Sequence, residues 1–203
     1  MRTVFISYYH KDAQQYKDAL VDSNKKYQMF VDGSVDTGDI DDTKLTDEQI
    51  RIKIRDEYIK DADVLILLCG KNSKHRKHID WELHAAMYRS SIKKPIPILI
   101  INLPDCSNEC RRNNDREKEI IENGRNLKWV SLSTYKEFKE SYPDLPERVF
   151  KSLVNKNSPI TIVNWNTLTL GQIKELVEFS YQRREQYEYD DTEPLRRRDG
   201  DDE

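Results

Sequence analysis

The chain has 203 residues, room for one principal domain of about 150 residues and an appendage. Its formal net charge is only -3 although 35% of its residues are charged, and the two signs are interspersed, which argues against a duplex-binding footprint, so nucleic acid is not an expected partner. No run of about 18 apolar residues offers a membrane span, and three cysteines, Cys69, Cys106 and Cys110, behind no secretory apolar segment suit a reducing cytoplasm.

In chain order, Thr3 to Ser7 predicts a short apolar strand. The polar and aromatic stretch Tyr8-Tyr9-His10-Lys11 leads into a helix from about Asp12 to Val21, with Ala13, Tyr16, Ala19 and Leu20 on one side and Asp12 as N-cap. Tyr27 to Val31 reads as a second strand, closed by Asp32-Gly33 and followed by a loop rich in aspartate: Asp36, Asp39, Asp41 and Asp42. Thr46-Asp47-Glu48-Gln49 has capping-box spacing. The run Ile50 to Arg55 alternates with the period of a strand, yet Ile50, Ile54 and Tyr58 also recur at helical spacing behind that cap, and a helix completes the alternation of strands and helices.

The stretch 62 to 91 organises the rest. Val64 to Cys69 are six consecutive apolar residues, the length of a strand buried on both faces, and Gly70 ends them. After a basic loop from Lys74 to His78, a helix carries Ile79, Leu83, Ala86 and Met87 as one stripe toward the sheet. Glu82 falls beside that stripe, on the first turn or so of a helix that follows a parallel strand, where open α/β sheets bind ligands. Taken alone, a glutamate there is explained by the positive end of the helix dipole.

Ile96 to Ile101 reads as a fourth strand whose prolines, Pro95 and Pro97, place its start near an edge. A short helix from Asp115 to Glu122 ends at Gly124, and Leu127 to Leu132 reads as a fifth, partly alternating strand. The count predicts a doubly wound, flavodoxin-like α/β domain with a five-stranded parallel sheet over residues 1 to 135. Residues 136 to 187 are expected to be a helical C-terminal extension packed on it, with helix starts at Thr134-x-x-Glu137 and Thr169-x-x-Gln172 and another helix from Leu145 to Val154. Residues 188 to 203, charged and almost without apolar side chains, read as a disordered tail.

Several motifs fail. Asp32-x-Ser34-x-Asp36 starts like a calcium loop but has Thr37 and Thr43 where glycine and glutamate are required. Cys106 and Cys110 lack a second ligand pair, so no metal site is expected. Neither a dinucleotide fingerprint nor a P-loop follows any strand, and a phospho-receiver would need carboxylates where Ser7-Tyr8 and Cys69-Gly70 stand.

The strand Val4-Phe5-Ile6-Ser7-Tyr8 with Asp12 after it, the aspartate-glycine loop after the second strand, the Asp63 to Leu68 strand, and Ser73 followed by Ile79-Asp80-Trp81-Glu82-Leu83 and Ala86 together resemble a TIR domain, and more narrowly the TIR-like proteins of the bacterial Thoeris anti-phage system. The resemblance covers about residues 1 to 135. It implies a cytoplasmic bacterial enzyme that takes NAD+ as substrate, with no further cofactor, breaks the nicotinamide glycosidic bond and converts the ADP-ribosyl group into a signalling nucleotide. That product, a cyclic ADP-ribose isomer or a conjugate with histidine as acceptor, activates a separate effector protein; the implied partners also include a phage-derived trigger and other TIR domains.

By motif, the catalytic glutamate is Glu82. The resemblance further implies that Ser7, Tyr8, Tyr9 and His10 border the nicotinamide and its ribose, that Phe5, His78 and Trp81 belong to the substrate site, and that Asp36 does so from a mobile loop around Asp32 to Asp39. Many relatives carry tryptophan four residues before the glutamate, where this chain has His78; Trp81 stands immediately before Glu82 instead.

The chemistry asked of one carboxylate is modest. Nicotinamide in NAD+ leaves readily without a general acid, and the barrier lies in an oxocarbenium-like ribose that a carboxylate can stabilise electrostatically or attack. The acceptor decides the product, and a site that excludes water favours a ring or a conjugate over ADP-ribose. Around it, His10 is either an acceptor's base or plain surface, Tyr8 and Tyr9 either stack on a ring or cover the sheet end, and Lys74, Arg76 and Lys77 either meet the pyrophosphate or are solvated. The competing reading is a TIR scaffold that only assembles with other TIR domains, Glu82 being an ordinary helix-start residue.

Overall fold

The computed structural model describes residues 1–34, 45–89, 94–106, 115–155, 158, 160–185 and 188–200. Among them, five parallel strands form one sheet in the order β2-β1-β3-β4-β5: β1 (Thr3–Tyr8), β2 (Val31–Asp32), β3 (Val64–Cys69), β4 (Ile98–Asn102) and β5 (Ile160–Asn164). β1 and β3 run side by side, Val4 opposite Val64 through Tyr8 opposite Leu68. Side-chain alternation splits the core into two layers. Phe5, Leu65, Leu67, Ile98 and Ile160 face α2 (Asp47–Lys53), α3 (Lys77–Met87), α5 (Tyr135–Ser141) and α6 (Arg148–Val154). Val4, Ile6, Ile66, Leu99 and Val163 face α1 (His10–Tyr27), α4 (Asp115–Glu122) and α7 (Leu170–Gln182). With helices on both faces, every residue of β3 is buried, hence its unbroken apolar run. The fold is the expected α/β flavodoxin-like arrangement.

α1 is longer than expected at both ends, and the second strand is correspondingly shorter. Tyr9, not Asp12, is the N-cap. At the other end buried Asn24 accepts from the amides of Met29 (2.8 Å) and Phe30 (3.0 Å) and donates to the Phe30 carbonyl (2.9 Å), so those residues bond to the helix and only Val31–Asp32 pair with β1. α2 forms behind a complete Thr46 capping box and passes into a π-helical turn, Ile54–Tyr58. Ile50 and Ile54 are buried while Ile52 between them is exposed, which is the helical solution to that ambiguous run.

Three expectations are corrected. The fifth strand is Ile160–Asn164 and not Leu127 to Leu132, so the segment expected to be a helical appendage completes the sheet, and α7 packs against β3 and β4. The predicted boundary at residue 135 therefore cuts through one core. β4 lies inside the sheet, and Pro95 and Pro97 precede its first residue instead of marking an edge. Residues 188–200, expected to be disordered, lie along α3 and α6; their charges mislead because the carbonyls of Glu193, Pro194 and Arg196 are accepting bonds from buried side chains. No described helix is long and apolar enough to cross a membrane.

Candidate active site

From β1 the chain crosses to β2 on one side, and from β3 to β4 on the other, so the strand order reverses between β1 and β3. The crevice outside the carboxyl ends of such a strand pair is the ligand position of doubly wound sheets. Two polar groups meet there. Ser7, next to last in β1 and 1% exposed, donates its hydroxyl hydrogen to Glu82 Oε2 at 2.6 Å, the length of a charge-assisted bond. Half-buried Glu82 has its pKa pushed up to about 7, chiefly because burial penalises the charged form, with the Ser7 bond acting in the opposite direction.

The loop between β3 and α3 fixes this meeting. The residue after the strand is Gly70, where a Cβ would stand 2.4 Å from the Asp12 Cβ. Its amide donates to Ser73 Oγ at 2.9 Å, while Asp12 accepts from the Asn72 backbone (2.7 Å) and side chain (3.0 Å), tying α1 to the loop. A single 3-10 turn, Ser73–His75, then sets α3, whose Ile79, Leu83, Ala86 and Met87 are buried as the spacing predicts. Glu82 is the sixth residue of α3, one turn further in than expected. The dipole effect fades within the first turn, so capping does not account for it.

Of the other expected site residues, Tyr9 and His10 stand at the same end of β1, their rings edge to face with centroids 4.9 Å apart. The Arg76 guanidinium lies 4.2 Å from the Tyr9 centroid, which brings the basic loop to this strand end. His78 is one helical turn before Glu82 on the same flank of α3. Three residues point elsewhere. Phe5 shares the face of Ser7 but is 1% exposed within the core. Tyr8 turns to the other layer, where its hydroxyl donates to Gln14 Oε1 at 3.2 Å. Trp81 is buried with its indole N–H on the Arg196 carbonyl (2.8 Å), beside a hollow of about 190 Å³ also walled by Arg51, Arg55, His84, Tyr88 and Leu195, on a different flank of α3 from Glu82. Lys77 Nζ pairs with Asp47 at 3.1 Å. Asp36 and most of the aspartate loop lie outside the described residues. The start of that loop is tied to β1, Ile6 N donating to Ser34 Oγ at 2.9 Å.

No cluster of three metal-ligating side chains occurs among the described residues. Cys69 and Cys106 are buried free thiols, and Cys110 lies outside the described residues. The sequence reading overlooked Asp80 and Arg148, a buried ion pair joined at 2.8 Å across 68 residues. Asp80 sits between Ile79 and Trp81, a pattern that marks a buried charge but not its partner, whereas Arg148 follows Glu147 and gives no such sign.

The family model for the Thoeris protein ThsB, TIR-like domain, matches residues 5–108, which include Ser7, Tyr9, His10, Arg76, His78 and Glu82. A comparison with curated proteins returns no match.

Proposed function

The chain belongs to the TIR-like family of the Thoeris protein ThsB, and from that premise we propose that it consumes NAD+, with Glu82 as the catalytic carboxylate. The observation that carries the reading is the contact of Glu82 with Ser7 at the carboxyl end of β1, at the point where strand order reverses. An acidic side chain kept partly out of water by burial and held in place by a hydroxyl is suited to a positively charged substrate: binding of cationic nicotinamide favours its ionised form. The bond between ribose C1′ and the pyridinium nitrogen breaks, and its electron pair leaves with neutral nicotinamide. The ionised Glu82 counters the positive charge that develops on the ribose.

An acceptor then bonds to C1′ and loses a proton. A ring atom of the same ADP-ribosyl group gives a cyclic isomer, and the imidazole of free histidine gives a conjugate; either serves as the signal to a separate effector in the bacterial cytoplasm. In this reading His10, exposed at the start of α1, would take that proton, and Tyr9 with Arg76 stacked on it would border the dinucleotide.

The test is a pH profile of nicotinamide release. The kcat/KM profile reports the free enzyme and should fall below a pH near 7, where Glu82 takes up its proton, while the limb of kcat should lie lower because bound NAD+ favours the carboxylate. A kcat/KM flat from pH 5 to 9 would remove Glu82 from the reaction.

A further inference from the structure

The C-terminal residues 188–200 come after α7, pass over α6 and end on the first turn of α3. Near their start Tyr189 donates its hydroxyl hydrogen to the Ile96 carbonyl at 2.8 Å, and the Asp190 amide donates to Ser152 Oγ at 2.9 Å. Midway, Arg148, fully buried in α6, holds the segment from below by donating to the carbonyls of Glu193 (2.9 Å) and Pro194 (3.1 Å). The same guanidinium makes a two-pronged pair with Asp80 of α3, at 2.8 and 2.9 Å, and Asp80 also accepts from the Arg196 amide at 2.8 Å. Trp81 Nε1 bonds the Arg196 carbonyl at 2.8 Å. At the end Asp199 accepts from the Lys77 amide at 2.7 Å and Gly200 N donates to the His75 carbonyl at 2.8 Å.

Asp80 and Glu82 are two positions apart on one helix, about 200° around its axis. The segment therefore grips α3 from the side away from Glu82. We infer that residues 188–200, through Asp80 and Arg148, are a clamp that sets the rotation of α3 and so positions Glu82 against Ser7, an inference that rests on the reading of Glu82 given above. A roll of α3 by about 10° would carry a side-chain atom, 5–6 Å from the axis, through about 1 Å. A 2.6 Å hydrogen bond does not survive that displacement. A misplacement of that size costs up to about 100-fold in rate. Arg148 and Asp80 are thus positioning residues, and neither touches the proposed substrate site.

The full chain carrying Asp80→Leu with Arg148→Met tests this. Replacing both members of a buried pair by apolar groups preserves folding far better than removing one, yet it deletes the anchors of residues 193 to 196. The expected results are a single cooperative melting transition and a kcat for nicotinamide release lowered about 10- to 100-fold, with KM for NAD+ within about two-fold of the unaltered chain. Amide exchange over Lys77 to Glu82 should also quicken at least about ten-fold while α7 keeps its protection. Should the double variant fail to fold, Arg196→Pro, which removes the amide bonded to Asp80 and leaves the ion pair, carries the same two readouts. Unchanged exchange in α3, or unchanged kcat in a folded variant, overturns the clamp. If Glu82→Gln releases nicotinamide as fast as the unaltered chain, the functional reading falls, and amide exchange alone decides the clamp.

Discussion

Glu82 carries two opposing demands, and their balance can be measured without any substrate. Its folded pKa of about 7 lies above the ordinary 4.5, so the folded chain favours the protonated form. The stabilising contribution is fully present below pH 4.5 and is lost as pH rises through 7. Glu82→Gln cannot ionise and keeps an acceptor for Ser7. Its stability relative to the unaltered chain should therefore grow between pH 4.5 and 8, by on the order of 2 kcal/mol once partial exposure is allowed for, as urea unfolding at several pH values will show. A difference constant over that range would place the carboxylate in water. Ser7→Ala removes the bond that holds the pKa down, so the acid limb of the proposed reaction should move above 7 with activity recovering at higher pH. A limb that stays in place would show that the contact does not tune Glu82.

At the scale of elements, the parts legible in the sequence are those whose signal is local. Capping boxes at Thr46, Thr134 and Thr169 all form, each satisfying its own helix start within four residues. The strand Val64–Cys69 is read to the residue because burial on both faces leaves it uniformly apolar. What failed depended on distant partners. Leu127 to Leu132 alternates convincingly, yet among the described residues it forms only a single bridge at Trp129 and no strand of the sheet, whereas Ile160–Asn164 is as short and pairs with β4 along its length. The turn after α1 is likewise made by Asn24 reaching six residues ahead, a contact invisible to periodicity. Asn24→Ala would strand buried amides of Met29 and Phe30 and the Phe30 carbonyl, with an expected loss of about 2–3 kcal/mol in chemical denaturation. Gly70→Ala should cost about 1–3 kcal/mol, since the new Cβ displaces Asp12 and loosens the loop leading to α3. Wild-type stability in either variant would refute these assignments.

On the scale of the whole molecule, the candidate site was legible where it coincides with the topology. A glutamate after the third strand and a serine ending the first meet because β1 and β3 are neighbours, and alternation of strands and helices predicts that adjacency. The resemblance implied Trp81 as a site residue, but one step along a helix turns a side chain by about 100° from Glu82, and its indole bonds to the C-terminal segment. That segment looked solvated because composition counts charges without seeing that buried Arg148 and Asp80 bind its backbone.

The proposal is tested most directly by nicotinamide release from NAD+ by the purified full chain and by Glu82→Gln, each mixed with lysate of phage-infected cells to supply a trigger. The account predicts release by the unaltered chain and at least about 1,000-fold less by the variant, with both folded. Equal release by the two proteins, or release by neither, would contradict it.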